Sequence, residues 1–371
     1  MRESRAHLLL SGYYGFGNFG DEAILEIFVR EWRRRRPLDV LTVLSATPDL
    51  TSSAFGVKAV PRSSFGVVRE ALRRCDVFVS GGGGLLQTST SVRSLLYYAG
   101  LVHQAAKDNR RSAIFAQGIG PLNFAGKQIV RRSCARVDLA VVRDAESGAI
   151  LRALIPSADV RLGADPVFLA EESVDADSEF DARGPERTLA AEGIPSEGPL
   201  VAVVVRPSRA LERLSADIAA AIDLLASRYG AHVVLIPFQR PVDVVACVSI
   251  IRRCGTSPVL LGGGYTLATM TALFRRCSAL IGMRLHALIL AARVGLPFLA
   301  VPYDPKIEAL CSSLSYPLPP LHPGTAADRA AQLWEDRERL GAHLQAGSRV
   351  LRERASRSFD WLQELVEGAA S

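Results

Sequence analysis

The sequence predicts an α/β protein made of two Rossmann-like domains with a central cleft. Short runs of Leu, Val and Ile alternate with stretches of helical periodicity through most of the 371 residues. This alternation is typical of parallel sheets that are covered by helices on both faces. The two halves also share a local pattern, because residues 71–81 and 272–282 each end a helix in two arginines and a cysteine before a buried strand that leads to glycine.

In the first half, apolar runs predict the strands and the amphipathic stretches between them predict the helices. The predicted strands are residues 7–11, 40–44, 77–80, 112–116 and 139–142. The predicted helices are residues 21–36, 65–74, 91–108 and 126–134.

The same alternation returns in the second half. The predicted strands are residues 200–206, 232–237, 259–261, 279–282 and 298–302, and the predicted helices are 208–229, 242–253, 267–276 and 285–294. The last 45 or so residues, rich in Arg and Glu, are predicted to be helical.

The pattern stops between the two series, where Gly, Pro, Ser and acidic residues dominate. Such composition is typical of a linker. We therefore predict an N-terminal domain (1–175), a linker (176–199), a C-terminal domain (200–323) and C-terminal helices (324–371).

Composition excludes several classes of protein. With 49% apolar and 22% charged residues the chain can bury a large core, and it has no run of about 18 apolar residues that would span a bilayer.

The N-terminus has no signal-peptide pattern, so we expect a cytoplasmic protein. Six cysteines without a CxxC pair predict reduced core thiols,.

The net charge of +6 comes from scattered arginines and only four lysines. Because the charges form no basic stripe, we expect anionic small ligands and no nucleic acid. The run Arg33 to Arg36 has two interpretations. It provides favourable charge at a helix C-terminus, or it touches an anionic membrane surface or a lipid pyrophosphate, which would make the protein peripheral at the inner face of the plasma membrane.

The first glycine-rich segment, residues 12–22, follows the first predicted strand and contains GxGxxG. Three features argue against a dinucleotide site. Bulky aromatic residues occupy the loop, Asp21 and Glu22 would put negative charge where the pyrophosphate should bind, and no acidic residue follows the second strand,. A sugar fits better, with Asn18 and Asp21 as polar contacts. In a purely structural interpretation this is a tight turn with Asp21 as the helix N-cap.

The second glycine-rich segment is residues 80–87, SGGGGLLQ. Four successive glycines allow a backbone to approach a ligand closely, and the segment is not a P-loop. We predict a ligand-facing loop that includes Gly82, Gly83 and Gln87.

Positively charged residues follow several predicted strands. Arg284 and His286 lie where a strand gives way to a helix, and Lys306 follows the next strand. Because helix N-termini attract anions and neighbouring parallel strands share a carboxyl edge, we predict that these three side chains bind one small anion. The structural alternatives are a hydrogen-bonded core histidine and a solvated lysine. Arg143 ends a first-half strand similarly, and its alternative is an ion pair with Asp144.

No HExxH, GxSxG or EF-hand pattern is present, and the single DxD, at residues 175–177, falls at the start of the predicted linker, where solvated side chains are expected. We predict no metal site.

Several segments together resemble the polysaccharide pyruvyltransferase family, and most closely its bacterial cell-surface-anchoring type. They are residues 12–25 (GYYGFGNFGDEAIL), 80–87, 91–98 (SVRSLLYY), 116–121 (AQGIGP), 142–144 (VRD), 163–166 (GADP) and 283–287 (MRLHA). One departure is Thr88, where that type is expected to have an acidic residue.

This resemblance implies a GT-B-like fold and transfer of a pyruvyl group from phosphoenolpyruvate, a co-substrate, with no cofactor. It implies a ketal on N-acetylmannosamine of a lipid-linked cell-wall precursor, in the biogenesis of an S-layer anchor. By motif position, Arg143, Arg284 and Lys306 would bind the donor, and His286 with Arg284 would be catalytic.

On this hypothesis, cations hold the carboxylate and phosphate of the donor and His286 moves protons. The residues for the acceptor would be Asn18, Asp21, Gly82, Gly83 and Gln87. Two alternatives stay open: a GT-B glycosyltransferase that uses a nucleotide sugar, and a non-catalytic saccharide-binding protein.

Overall fold

The structure, a computed structural model, describes residues 5–370 except 90, 171–189 and 196. The chain forms two compact units, of which the first comprises Met1–Leu169 with Leu351–Ser371 and the second Ala170–Val350. The predicted linker lies mostly outside the described residues, as does the DxD segment.

The first unit contains an eight-stranded sheet. Its strands are β1 (His7–Ser11), β2 (Val40–Ser45), β3 (Lys58–Pro61), β4 (Val77–Ser80), β5 (Gly83–Leu86), β6 (Arg111–Ile119), β7 (Leu139–Val142) and β8 (Val160–Leu162). Their order is β3-β2-β1-β4-β6-β7-β8, with β5 beside β6. The strand pairs are parallel, so every strand ends at the same edge.

Among the described residues of this unit, six α-helices and a 3₁₀ turn at Pro166–Leu169 connect or follow these strands. They are α1 (Phe19–Arg35), α2 (Pro48–Phe55), α3 (Phe65–Arg74), α4 (Val92–Lys107), α5 (Phe124–Ser133) and α6 (Ala145–Leu154). One core cluster joins the inner sides of α3, α4, α5 and α6 to the sheet, with Leu72, Leu95, Val130 and Leu151 among its members.

The second unit contains a five-stranded parallel sheet. Its strands are β9 (Leu200–Val204), β10 (His232–Leu235), β11 (Val259–Leu260), β12 (Ala279–Gly282) and β13 (Phe298–Ala300), in the order β11-β10-β9-β12-β13. The helices that the structure describes there are α7 (Arg209–Tyr229), α8 (Val242–Ile251), α9 (Leu267–Arg276), α10 (Leu285–Val294), α11 (Pro305–Ser313), α12 (Ala326–Glu335) and α13 (Arg337–Ala370).

The C-terminal helices differ from the predicted organisation. Helix α12 packs on α7 and belongs to the second unit, whereas α13 is divided at Val350 and its last part belongs to the first unit. In that part Leu351, Ala355, Phe359 and Leu362 recur at helical spacing and are buried. Phe359 packs on Phe115 with ring centroids 4.9 Å apart, so this apolar stripe completes the core of the first unit.

Three local predictions differ from the structure. Helix α1 begins at Phe19, and Asn18, not Asp21, is its N-cap, because the Asn18 side chain accepts a hydrogen bond from Gly20 N–H. Part of the segment predicted as a glycine loop is strand β5, since Leu86 is buried and pairs with Ile119. The short elements α2, β3, α6, β8 and α11 were not predicted.

The arginine run at the end of α1 makes contacts within the first unit. Arg34 pairs with Glu31, Arg35 with Asp360, and Arg36 with Asp39. Three arginines of the run are thus paired with carboxylates of the first unit. In the described part of the chain, none of the helices has both the length and the apolar character that crossing a bilayer requires.

Candidate active site

Three loops leave the carboxyl edge of the second unit from the neighbouring strands β9, β12 and β13. The register aligns Gly282 of β12 with Val204 of β9 and with Ala300 of β13, so these strands end at one level. Arg206 follows β9, His286 follows β12 in the first turn of α10, and Lys306 follows β13. This edge is where open parallel sheets bind ligands.

Arg206 and Lys306 meet at one aromatic ring, that of Tyr303. Arg206 Nη1 donates a hydrogen bond to Tyr303 Oη at 3.1 Å, and its guanidinium carbon lies 4.8 Å from the ring centroid. Lys306 Nζ lies 5.0 Å from the same centroid and 3.5 Å from Asp304 Oδ2. Asp304 also caps α11, which fixes the loop that carries the lysine.

Two positive charges lie beside the Tyr303 side chain. Burial alone would raise the pKa of Tyr303, but the charges of Lys306 and Arg206 outweigh it and lower the pKa below its usual value,. A site that stabilises a phenolate in this way also stabilises the negative charge of a bound ligand.

Arg284 has a different environment. Its side chain is buried, with Nε 3.0 Å and Nη2 2.5 Å from the two carboxylate oxygens of Asp243, which is fully buried. Nη2 also donates to Gln239 Oε1 at 3.3 Å. This bidentate ion pair connects the loop after β12 to the start of α8. The hydrogen bonds of Arg284 Nε and Nη2 to Asp243 therefore anchor the loop that precedes His286,.

The two glycine-rich segments of the first unit meet at Asp21. Asn18 Nδ2 donates a hydrogen bond to Asp21 Oδ2 at 2.5 Å. A Cβ at Gly83, whose φ is +96°, would lie 3.0 Å from Asp21 Oδ1, so the backbone of β5 packs directly on this carboxylate. The structure thus brings Asn18, Asp21 and Gly83 together at the carboxyl edge of the first sheet.

Gly82 and Gln87, on either side of β5, make local contacts with α1 and with the glycine-rich segment itself. A Cβ at Gly82 would lie 3.0 Å from Ile24, so this glycine allows the chain just before β5 to pack against α1. Gln87 Nε2 donates to Gly84 O at 2.6 Å, and Gln87 Oε1 accepts from the Ser89 hydroxyl. Gln87 therefore stabilises the turn that leads to α4.

The loop after β1 is held by Glu22. Its carboxylate accepts a hydrogen bond from Gly15 N–H at 2.8 Å. Burial raises the pKa of Glu22, although amide hydrogen bonds from Gly15, Gly17 and Phe16 act in the opposite direction. An internal carboxylate thus takes the place that a dinucleotide pyrophosphate would need, as expected from the sequence.

Arg143 follows β7 and lies across Gly118 of β6. A Cβ at Gly118 would be only 2.7 Å from Arg143 Cζ, so glycine makes room for the guanidinium. Nε lies 3.6 Å from Asp144 Oδ2 and Nη1 lies 3.7 Å from Asp165 Oδ2. Both distances are longer than those of the Arg284–Asp243 pair, so Asp144 and Asp165 hold Arg143 more loosely.

Two residues of the second-unit cluster, Arg206 and Tyr303, are not among the predicted site residues. Arg206 closes a predicted strand, and Tyr303 lies in the loop after the last predicted strand. A signal for Arg206 existed, because a cation that closes a buried strand is the same pattern that singled out Arg143. Nothing in the sequence indicated the pairing of Arg284 with Asp243, 41 residues away.

Comparison with known proteins gives one family and one fold. The family model described as polysaccharide pyruvyl transferase matches residues 18–305. No curated protein matches the chain.

Solved structures similar to this one include glycosyltransferases and epimerases. A glycosyltransferase from Rickettsia africae has a TM-score of 0.65 at 9% identity, covering 98% of this chain and 99% of that chain. The UDP complex of S. aureus MnaA has a TM-score of 0.64 at 10% identity, covering 98% of each chain. The UDP-GlcNAc 2-epimerase from Neisseria meningitidis bound to UDP-GlcNAc has 0.63 at 11%, covering 97% and 100%. These likenesses confirm the predicted GT-B-like α/β fold.

Proposed function

The chain belongs to the polysaccharide pyruvyl transferase family, and from that premise we propose that it transfers pyruvate from phosphoenolpyruvate to a sugar as a ketal. The observation that carries the donor assignment is the pair Arg206 and Lys306 around Tyr303, next to the helix start that bears His286. Phosphoenolpyruvate is the co-substrate in this proposal, and the reaction needs no resident cofactor or metal.

The donor has a carboxylate and a phosphate on one three-carbon unit. A site for it must therefore hold several cations close together, with an arginine fork for one group and a compact ammonium for the other. In this proposal Arg206 and Lys306 provide that charge. The first turn of α10 adds backbone N–H groups, and Arg284 keeps the turn in place through Asp243. Arg143 is assigned to the donor by its motif.

The reaction forms two C–O bonds to the same carbon of the donor. A proton adds to the methylene carbon of the donor, and a sugar hydroxyl attacks the adjacent carbon, which has become oxocarbenium-like. The C–O bond to phosphate then breaks, and a second hydroxyl attacks to close the ketal. The two sugar hydroxyls release two protons. One replaces the proton that was added to the methylene carbon, and the other leaves with inorganic phosphate. We assign these proton transfers to His286, because imidazole exchanges protons near neutral pH.

The proposed acceptor is N-acetylmannosamine in a lipid-linked cell-wall precursor, and the product would belong to an S-layer anchor. The support for this finer assignment is the resemblance of the motifs to the cell-surface-anchoring type. Asn18, Asp21 and Gly83 form the polar group that we assign to the sugar hydroxyls. Gly82 and Gln87 support the same loop.

Product mass tests the function. The purified protein is incubated with phosphoenolpyruvate and synthetic or lipid-linked disaccharides, with and without N-acetylmannosamine. We expect a mass gain that matches a pyruvyl ketal and an equal amount of released phosphate. Thermal stabilisation by nucleoside diphosphates but not by phosphoenolpyruvate, with no mass gain, would favour the nucleotide-sugar alternative. Binding of saccharide without phosphate release would favour the non-catalytic one.

Substitution of the cations should raise the donor concentration that the enzyme needs. For Arg206→Gln and Lys306→Ala we expect the KM for phosphoenolpyruvate to rise about ten- to a hundredfold, since a hydrogen bond to a charged group contributes roughly 1.5–3 kcal/mol. Steady-state kinetics at varied donor measure this. Lys58→Ala, an exposed lysine of the first unit, is the control. Unchanged donor saturation in both variants would contradict the cation cluster as the donor site.

A methyl group at Gly118 should mimic loss of Arg143. In Gly118→Ala the new Cβ displaces the guanidinium, which is the flexible end of its side chain, so the fold should tolerate the change. We expect turnover to fall about tenfold or more, close to Arg143→Ala, with a melting temperature within a few degrees of wild type. Full activity of Gly118→Ala beside an inactive Arg143→Ala would show that the position of Arg143 over Gly118 is not the active one.

A further inference from the structure

Two phenylalanine side chains project into solvent from the first unit. Phe65 is the first residue of α3 and Phe124 the first residue of α5, and each is 80% exposed. Three more apolar residues near the same helix ends are exposed, namely Val67, Val92 and Leu96. Single exposed apolar residues are common, but a cluster at neighbouring helix ends indicates an interaction surface.

These helix ends lie on the same side of the first unit. Helices α3, α4 and α5 follow β3, β5 and β6, so each begins at the carboxyl edge of the sheet. Helix α4 contacts both α3 and α5, and the inner faces of all three share one core. We call their exposed N-terminal turns, which carry Phe65, Val67, Val92, Leu96 and Phe124, the α3–α5 tip surface.

Unpaired cations dominate the charge of this surface. Arg69, Arg93 and Lys127 are exposed within the first two turns of α3, α4 and α5, and the described residues offer none of them an ion pair. The one acidic residue of these turns, Glu70, pairs with Arg74 of its own helix at 2.6 Å. The first turns of these helices contain no acidic residue, whereas those of α1, α2 and α6 do. Helix dipoles favour acidic residues at that position, so their absence from three adjacent helices favours an anionic partner.

We propose that the α3–α5 tip surface docks on an anionic lipid bilayer, with the rings of Phe65 and Phe124 entering the interface. Aromatic side chains beside cations are the composition that binds anionic membrane surfaces. A second copy of the chain fits less well, because two such surfaces would place cations against cations. The arginine run of α1 is not part of this surface, because it closes α1 and so lies at the opposite edge of the sheet from the first turns of α3, α4 and α5.

The surface adjoins the loop assigned to the acceptor. Thr88, which follows that loop, donates a hydrogen bond to Pro121 O at 3.1 Å and accepts one from Asn123 N at 3.0 Å, and Asn123 caps α5. A bilayer at Phe124 would thus bring a lipid-linked sugar next to β5. This last step rests on the proposed function, whereas the docking surface itself does not.

Vesicle co-sedimentation of the full chain tests the docking. The probes are vesicles of phosphatidylcholine alone and of phosphatidylcholine with phosphatidylglycerol. We expect binding to the anionic vesicles, weakened by salt, and little binding to the neutral ones. Phe65→Ser with Phe124→Ser should lower the partition coefficient at least tenfold, since burial of each ring supplies apolar transfer energy. Arg93→Ala with Lys127→Ala should lower it severalfold and reduce its dependence on salt.

The matched control is Leu38→Ser with Val245→Ser, which removes two exposed apolar residues elsewhere, 58% and 70% exposed. This control should bind like wild type. Equal binding by all variants, equal binding to neutral vesicles, or a protein dimer without lipid that the phenylalanine variant abolishes would each overturn the proposal. Pyruvyl transfer to a soluble disaccharide separates the two hypotheses, because the phenylalanine variant should keep it even if docking fails.

Discussion

Replacing His286 by alanine is expected to lower the turnover number of pyruvyl transfer about 10²–10⁴-fold, the usual contribution of a general acid or base. His286 lies in the first turn of α10, at the sheet edge that also carries Arg206, Tyr303 and Lys306. Because the proposed role is proton transfer and not donor binding, the KM for phosphoenolpyruvate should change far less than the turnover number.

The fold should survive this change. His286 is only half-buried and alanine favours helices, so the melting temperature should stay close to that of wild type,. His322→Ala, which removes an exposed histidine of the same unit, is the matched control and should retain full turnover. If His286→Ala turns over as fast as wild type while both variants are folded, His286 has no part in the proton transfers.

Replacing Asp243 by alanine is expected to destabilise the second unit by about 3–5 kcal/mol, as found when one partner of a buried ion pair is removed. Asp243 accepts hydrogen bonds from Arg284 Nε and Nη2 and from the backbone N–H groups of Phe238 at 3.1 Å and Gln239 at 2.9 Å. Its loss leaves a buried guanidinium and two backbone amides, one buried and one partly buried, without this carboxylate. Differential scanning calorimetry should show a melting temperature lower by roughly 6–20 °C.

Two further variants make this test specific. Asp336→Ala breaks an exposed pair with Arg339 and should cost less than about 1 kcal/mol,. Asp243→Ala combined with Arg284→Met removes the buried charge as well and should recover part of the lost stability. An unchanged melting temperature for Asp243→Ala would mean that Arg284 does not depend on this carboxylate.

Most of the fold follows from local pattern. Buried parallel strands require near-continuous apolar runs, and strands such as β1, β4, β7 and β12 have the predicted bounds for this reason,. The short elements α2, β3 and β8 lack a distinct period over enough residues to be detected. Strand β5 was hidden because its first two residues are glycines, and only its pairing with β6 makes it a strand.

For the site, the residue types that follow each strand can be identified from the amino-acid sequence, and the parallel topology places Arg206, His286 and Lys306 at one edge. The partner of each cation depends on contacts between elements that are distant in the chain. Arg284 pairs with Asp243 and Arg206 with Tyr303, across 41 and 97 residues of sequence. Local periodicity indicates which face of an element is buried. The partner of a buried side chain depends instead on how elements far apart in the chain pack together, and the sequence of either element does not specify that packing.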